Sequence, residues 1–179
     1  EMTNVHFLKD HGFILRRINF GDSDRYITIF TKNHGKIEIV AKGVRKITSR
    51  RAAACELLNL VEFQSVRTTK NFILTEVRLI DSFEHLKREL SHIKKVLLMC
   101  ELLDAVMPAG VRHPDVFDLI ERASRKMNVS EKNMAYFQAK LLSLLGFWDG
   151  RASFKNEAHV ENFIEQVIER KLKTPQAFR

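Results

Sequence analysis

The sequence predicts an α+β protein, a small five-stranded β-barrel followed by an all-helical domain. Two observations carry this. From Phe13 to Asp81 apolar residues recur with the two-residue period of strands, interrupted by glycine and asparagine where the chain must reverse. After Asp81 the period changes to the three-and-four spacing of helices. An amino-terminal domain over 1–82 and a helical domain over 83–179 are therefore expected.

The strands are expected over 13–20, 25–31, 36–44, 57–66 and 72–80. Asn33-His34-Gly35 joins the second to the third, because glycine supplies the positive φ that a tight hairpin demands. In the third strand Ile37, Ile39 and Ala41 alternate with Lys36, Glu38, Val40 and Lys42, so one face fills a barrel while most of the other meets water. The linker over 45–56 separates strands three and four, where a barrel of the oligonucleotide-binding (OB) type often has a helix.

Four helices follow. Leu86, Leu90, Ile93, Leu97, Cys100 and Leu103 form a first apolar stripe, ending near Pro108 and Gly110. Pro114 suits the first turn of a second helix reaching about Met127, with Phe117, Ile120 and Ala123 inward. Asn128 and Glu131 have capping-box spacing and open a third helix, with Met134, Phe137, Leu141 and Leu144 inward and Gly146 closing it. Val160, Phe163, Ile164, Val167 and Ile168 mark a fourth.

Composition bounds the function. The chain has 179 residues, a formal net charge of +8 and only two cysteines, Cys55 and Cys100, expected to be buried thiols. Such a basic balance points to a polyanionic partner: DNA, RNA or an acidic protein tail. No run approaches the roughly 20 apolar residues of a membrane span, and the first residues lack the pattern of a secretory signal. A cytoplasmic protein with no membrane partner is expected.

The strongest local feature is the segment 36–51, where Lys36, Lys42, Arg45, Lys46, Arg50 and Arg51 face a single acid, Glu38. Cations in this density hold phosphates without regard to base sequence, since each contact releases a condensed counterion. Arg25 is expected to join them; an ordinary solvated loop is the plain alternative. Phe20, Tyr26, Phe30 and Phe72 are candidate stacking surfaces, against the commoner role of strand aromatics as core. Arg170, Lys171, Lys173 and Arg179 form a second basic cluster, a secondary DNA-binding candidate that also suits the negative end of the last helix.

Catalytic readings fail on spacing. Gly21-Asp22-Ser23-Asp24 has the Gly-Asp-Ser start of one esterase family, but the aspartate and histidine three apart that it requires are absent. The seven histidines include no His-Glu-x-x-His, and there is no phosphate-binding loop. Asn128-Val129-Ser130 reads as helix-capping chemistry, not as a glycosylation site. The chain is expected not to be an enzyme and to need no cofactor.

The run Phe20-Gly-Asp-Ser-Asp-Arg-Tyr-Ile-Thr-Ile-Phe-Thr31, continuing through His34-Gly-Lys-Ile-Glu-Ile-Val-Ala-Lys-Gly-Val-Arg-Lys46 and Ser49-Arg50, resembles the bacterial RecO family of recombination mediators. Similarity extends through Glu76 to Phe83, the Leu-Leu-x-x-x-Gly-Phe end of the third helix within Ala139 to Phe147, and Arg170-Lys-Leu-Lys-Thr174. The resemblance implies an OB-fold protein of homologous recombination and repair that binds single- and double-stranded DNA and anneals complementary strands. With RecR it would help RecA load on DNA coated by single-strand-binding protein, whose acidic C-terminal tail it would recognise through a helical-domain groove; RecF is a further implied partner. It also implies association with the nucleoid during repair. One departure is plain: many members carry a four-cysteine zinc insertion after the Gly-Phe position, whereas Trp148 to Asn156 contains no cysteine, so no metal site is expected. The alternative from the residues alone is an OB-fold RNA binder or a protein-interaction scaffold without annealing activity.

Overall fold

The computed structural model describes residues 7–126, 131–150, 154 and 157–174. It is an α+β protein with a closed five-stranded barrel followed by four α-helices. The strands are β1 (Phe7–Phe20), β2 (Asp24–Thr31), β3 (Gly35–Ala41), β4 (Leu60–Arg67) and β5 (Phe72–Asp81), in the order β1-β2-β3-β5-β4. All neighbours run antiparallel except β3 and β5, which pair in parallel through Ile39↔Phe72 and Val40↔Ile73. This is the OB-type closure.

Strand β1 begins six residues before its expected start. Its first half pairs with β4, from Phe7↔Val66 to Phe13↔Leu60, and its second half with β2, from Gly12↔Thr31 to Phe20↔Asp24. One long strand thus serves two partners and closes the barrel. Lys9, Asp10 and His11 hid the early half from an apolar count. Asp10 is nevertheless buried, accepting hydrogen bonds from the backbone N–H of His11 (2.8 Å) and Asn33 (3.0 Å), the Asn33 amide (2.9 Å) and the His34 ring (2.7 Å). A buried carboxylate must be so satisfied, and here it anchors the β2–β3 hairpin to β1.

Ile14, Ile27, Ile29, Ile39, Ala41, Val61, Phe63 and Leu74 fill the barrel, drawn from alternate positions as the period predicts. The segment between β3 and β4 is a succession of turns, without the α-helix that OB-type barrels often have there. Val44, Ala54 and Cys55 turn inward to join the barrel core. Asn59 ties it by donating to the carbonyls of Ala53 (2.9 Å) and Ala54 (3.1 Å), while Leu58 and Asn59 exchange backbone bonds with Ile14. Burial pushes the Cys55 thiol up to about 11, so it stays neutral and apolar in character.

The chain divides into two compact units: the barrel together with Met107–Arg112, and the helices from Phe83–Val106 and from His113 onward. In the first unit Ala109 bridges Lys36 in parallel, and the Gly110 N–H donates to the Lys36 carbonyl at 2.9 Å.

The helices are α1 (Leu90–Val106), α2 (Pro114–Lys126), α3 (Glu131–Leu144) and α4 (Glu157–Val167). The first departs from its expected stripe. Leu86 belongs to a separate 3-10 turn, Glu84–Leu86, and Leu90 is 70% exposed. Cys100 and Leu103 of the expected stripe are buried, but so are Val96, Leu98, Met99 and Leu102, spread round more than one face, so no single stripe describes α1. In α2, Val116, Phe117 and Ile120 are buried while Ala123 is only half-buried. Met134, Phe137 and Leu141 lie inward on α3, which closes with the Phe147 N–H on the Leu142 carbonyl and the Gly146 N–H on that of Ser143, the paired bonds of a Schellman end. The Asn128 cap lies outside the described residues. Val160 and Ile164 are buried on α4, and Ile168 falls just beyond it.

Glu101 of α1 is the fixed point for residues 170–174. Its carboxylate accepts the backbone N–H of Lys173 (2.7 Å) and Thr174 (2.8 Å) and the Arg170 guanidinium (3.1 Å). Burial pushes this carboxyl up, but those donors outweigh it and hold it below its ordinary value. Its stabilisation is therefore complete above the unfolded value near about 4.3 and is lost as pH falls through the lower folded value. Glu101→Ala is expected to destabilise the protein by about 2 to 3 kcal/mol, since two backbone donors lose a charged acceptor. Melting curves at pH 7 and at progressively lower pH check this: the difference between parent and Glu101→Gln should shrink towards acid.

Candidate nucleic-acid interface

The loop after β3 is built with two sides. Its apolar residues Val44, Ala54 and Cys55 enter the barrel, which turns the intervening cations to the surface. Lys42, Lys46, Arg50 and Arg51 together line one shallow depression with Gly43, Thr48 and Ser49, and no acid lines it. The side chains of Lys42, Lys46 and Arg50 are exposed and have no hydrogen-bond or ion-pair partner among the described residues. Arg51 is different. Its guanidinium donates to the carbonyls of Leu74 (3.2 Å) and Lys42 (2.6 Å), fastening the loop to β5 and to the end of β3. It shapes the depression while adding its charge.

Arg45 does not line the depression. Its guanidinium reaches the Gly21 carbonyl at 3.2 Å and its N–H donates to Ser23 at 2.9 Å; the Gly43 N–H donates to the Asp24 carboxylate at 2.7 Å. These bonds lock the basic loop against the β1–β2 turn. Arg25 does not join the cluster: its side chain is mostly buried, donates to Asn19 at 3.1 Å and pairs with Glu56 at 3.7 Å, beside Arg17, which also holds Glu56. Lys36 stands at the opposite end of β3, beside Ala109, roughly 20 Å along the strand from Lys42.

The aromatic candidates separate in the same way. Phe30 is fully buried and offers no surface. Phe72 is half-buried against the barrel core, with the Arg67 guanidinium over its ring at 5.8 Å. Phe20 and Tyr26 come together, ring centroids 4.9 Å apart. In the second basic cluster Arg170 is paired with Glu101 and Lys171 with Glu165 at 2.6 Å, while Lys173 is exposed and has no ion pair among the described residues; Arg179 lies outside them. The charges of Arg170 and Lys171 are thus engaged by acids of α1 and α4.

Residues 2–83 match the family described as "Recombination protein O N terminal". The barrel is a RecO-family amino-terminal domain. Similar relatives include proteins named "DNA repair protein RecO" from Symbiobacterium thermophilum (31% identical, over 76% of this chain and 55% of the relative) and Chloroherpeton thalassium (32%, over 78% and 56%). One from Desulfitobacterium hafniense is 36% identical over 60% of this chain and 40% of the relative. The chain thus spans about half the length of the curated relatives it matches.

The RecO-family barrel carries the basic loop; the helical unit carries a second feature that sequence reasoning did not locate. Between α2 and α3 runs a groove of about 510 Å³ whose lining includes the apolar Leu119, Ala123, Phe137 and Leu144, Tyr136, and the cations Arg122, Lys126 and Lys140; Asp115 and Asp118 also border it. The signal was present, since residues 115, 118, 119, 122, 123 and 126 share one face of α2 at helical spacing, opposite the buried Val116, Phe117 and Ile120. Among the described residues no helix is long and apolar enough to cross a membrane, and no group of His, Cys, Asp and Glu is placed to hold a metal ion.

Proposed function

We propose that this chain acts in DNA repair and homologous recombination as a mediator that binds single- and double-stranded DNA and anneals complementary strands without bond-making chemistry. The observation that carries this is the depression with four cationic side chains and no acid. Two strands repel as polyanions, and Lys42, Lys46, Arg50 and Arg51, with Arg45 nearby, lower the cost of bringing them together by displacing condensed counterions. Contacts to phosphates leave base edges free, so pairing proceeds without sequence preference. With RecR, and with RecF as a further partner, such a protein would help RecA load on DNA coated by single-strand-binding protein. The α2–α3 groove supports the remaining partner: an acidic, aromatic-ended tail needs an apolar slot beside cations, and Leu119, Phe137, Arg122 and Lys140 supply both. Such work would place the chain in the cytoplasm, at the nucleoid during repair.

Filter binding of mixed-sequence oligonucleotides over a salt series, alongside annealing with and without single-strand-binding protein, tests this. Affinity should fall linearly on a log-log plot against salt. A flat salt response would favour an interaction scaffold, and preference for RNA over a matched DNA strand would favour an RNA binder.

A further inference from the structure

We infer that Ile18, Phe20 and Tyr26, on the outer face of β1 and β2, form a platform on which the unpaired bases of a DNA strand stack, giving the basic loop a preference for single strands. The inference rests on the proposed DNA binding and adds to it a site that charge alone does not supply.

The register puts these side chains on one face. Ile18 pairs directly with Tyr26, and Phe20 lies two residues further along β1, so all three project from the barrel's outer side while Ile27, next to Tyr26, is fully buried within. That outer side is confirmed further down the strands, where Arg16 bonds Thr28 at 3.3 Å and Glu38 at 2.6 Å. Phe20 is 49% exposed and Ile18 46%. The rings of Phe20 and Tyr26 meet at 52°, with Phe20 exposed and Tyr26 half-buried.

The occupant follows from what borders the patch. Tyr26 pairs with Val40, and Lys42 follows just past the end of β3. Phe20 leads into the turn that Arg45 grips at Gly21 and Ser23. The nearby Asp24 carboxylate is taken by the Gly43 N–H. Exposed aromatic faces beside phosphate-binding cations fit a nucleic-acid strand whose bases are unpaired, because every base has a π-face and a duplex hides its own. Stacking uses base faces and leaves pairing edges open. A strand held in this way can meet its complement, and the resulting duplex, no longer able to stack, is held through its phosphates alone.

The test uses the full chain and three probes of equal length: an oligothymidylate, the same backbone made abasic, and a duplex. The parent should bind the oligothymidylate about tenfold more tightly than the abasic strand. The double variant Phe20→Leu, Tyr26→Leu, which keeps apolar bulk but removes the rings, should lose about tenfold on the oligothymidylate and stay within about twofold on the abasic strand and the duplex. Equal binding of thymidylate and abasic strands by the parent would overturn the inference, and that comparison needs no variant to fold. So would a variant that binds all three probes as the parent does, or one that weakens on all three alike. If the parent binds none of the probes, the proposed DNA binding itself fails.

Discussion

Replacing Lys42, Lys46 and Arg50 together with alanine is expected to lower DNA affinity roughly a hundredfold at about 0.1 M salt while leaving the melting behaviour nearly unchanged. Each phosphate contact contributes about 0.9 to the slope of log affinity against log salt, so the loss of three should flatten that slope by about 2.7. The loss should be uniform across sequences, since phosphate contacts carry no base information. Stability should move by no more than about 0.5 kcal/mol, because all three side chains are exposed and make no partner contacts among the described residues. Arg51 is left out of the set deliberately: its bonds to Leu74 and Lys42 hold the loop, so its removal would mix folding with binding. A triple variant that binds like its parent across the salt series would mean that the main phosphate surface lies elsewhere.

The contrast between Arg51 and Lys42 shows where sequence reasoning reaches and where it stops. Charge density singled out a segment four of whose cations line one depression, because a run of cations is a property of the chain itself. It could not tell a cation that faces outward from one folded back onto carbonyls. Arg25 and Lys36 illustrate the same limit: one is paired by Glu56, over thirty positions away, and the other is separated from the cluster by the length of β3. Strand periodicity located all five strands, but the polar start of β1 was missed, because Asp10 is satisfied by partners from a hairpin more than twenty residues on. Similarly, α1 has buried residues on several sides, so a one-faced stripe misassigned Leu90. The α2–α3 groove needs two helices at once, and only their packing reveals it.

Gly35→Ala is expected to be the most destabilising single change in the barrel unit, costing about 4 kcal/mol or more. Two effects add. Gly35 has φ +69°, a left-handed conformation that costs a side-chain-bearing residue about 1 to 2 kcal/mol. A Cβ there would also stand 2.2 Å from the carbonyl oxygen of Val111 and 2.5 Å from its carbonyl carbon. Those are backbone atoms of the segment that Lys36 holds through Gly110 and Ala109, so they cannot swing aside as a side chain would. The hairpin cannot retreat either: the Gly35 carbonyl accepts the Thr31 hydroxyl at 2.9 Å, and the preceding Asn33 and His34 are bound to the buried Asp10. The substitution must therefore push Met107–Arg112 off the barrel or break the turn. Denaturant melts check the size of the effect, and adding Val111→Gly separates its cause: trimming that side chain should restore nothing, since the clash is with the main chain. A Gly35→Ala protein melting within about 1 kcal/mol of the parent, or one rescued by Val111→Gly, would show that this close approach does not hold the segment against β3.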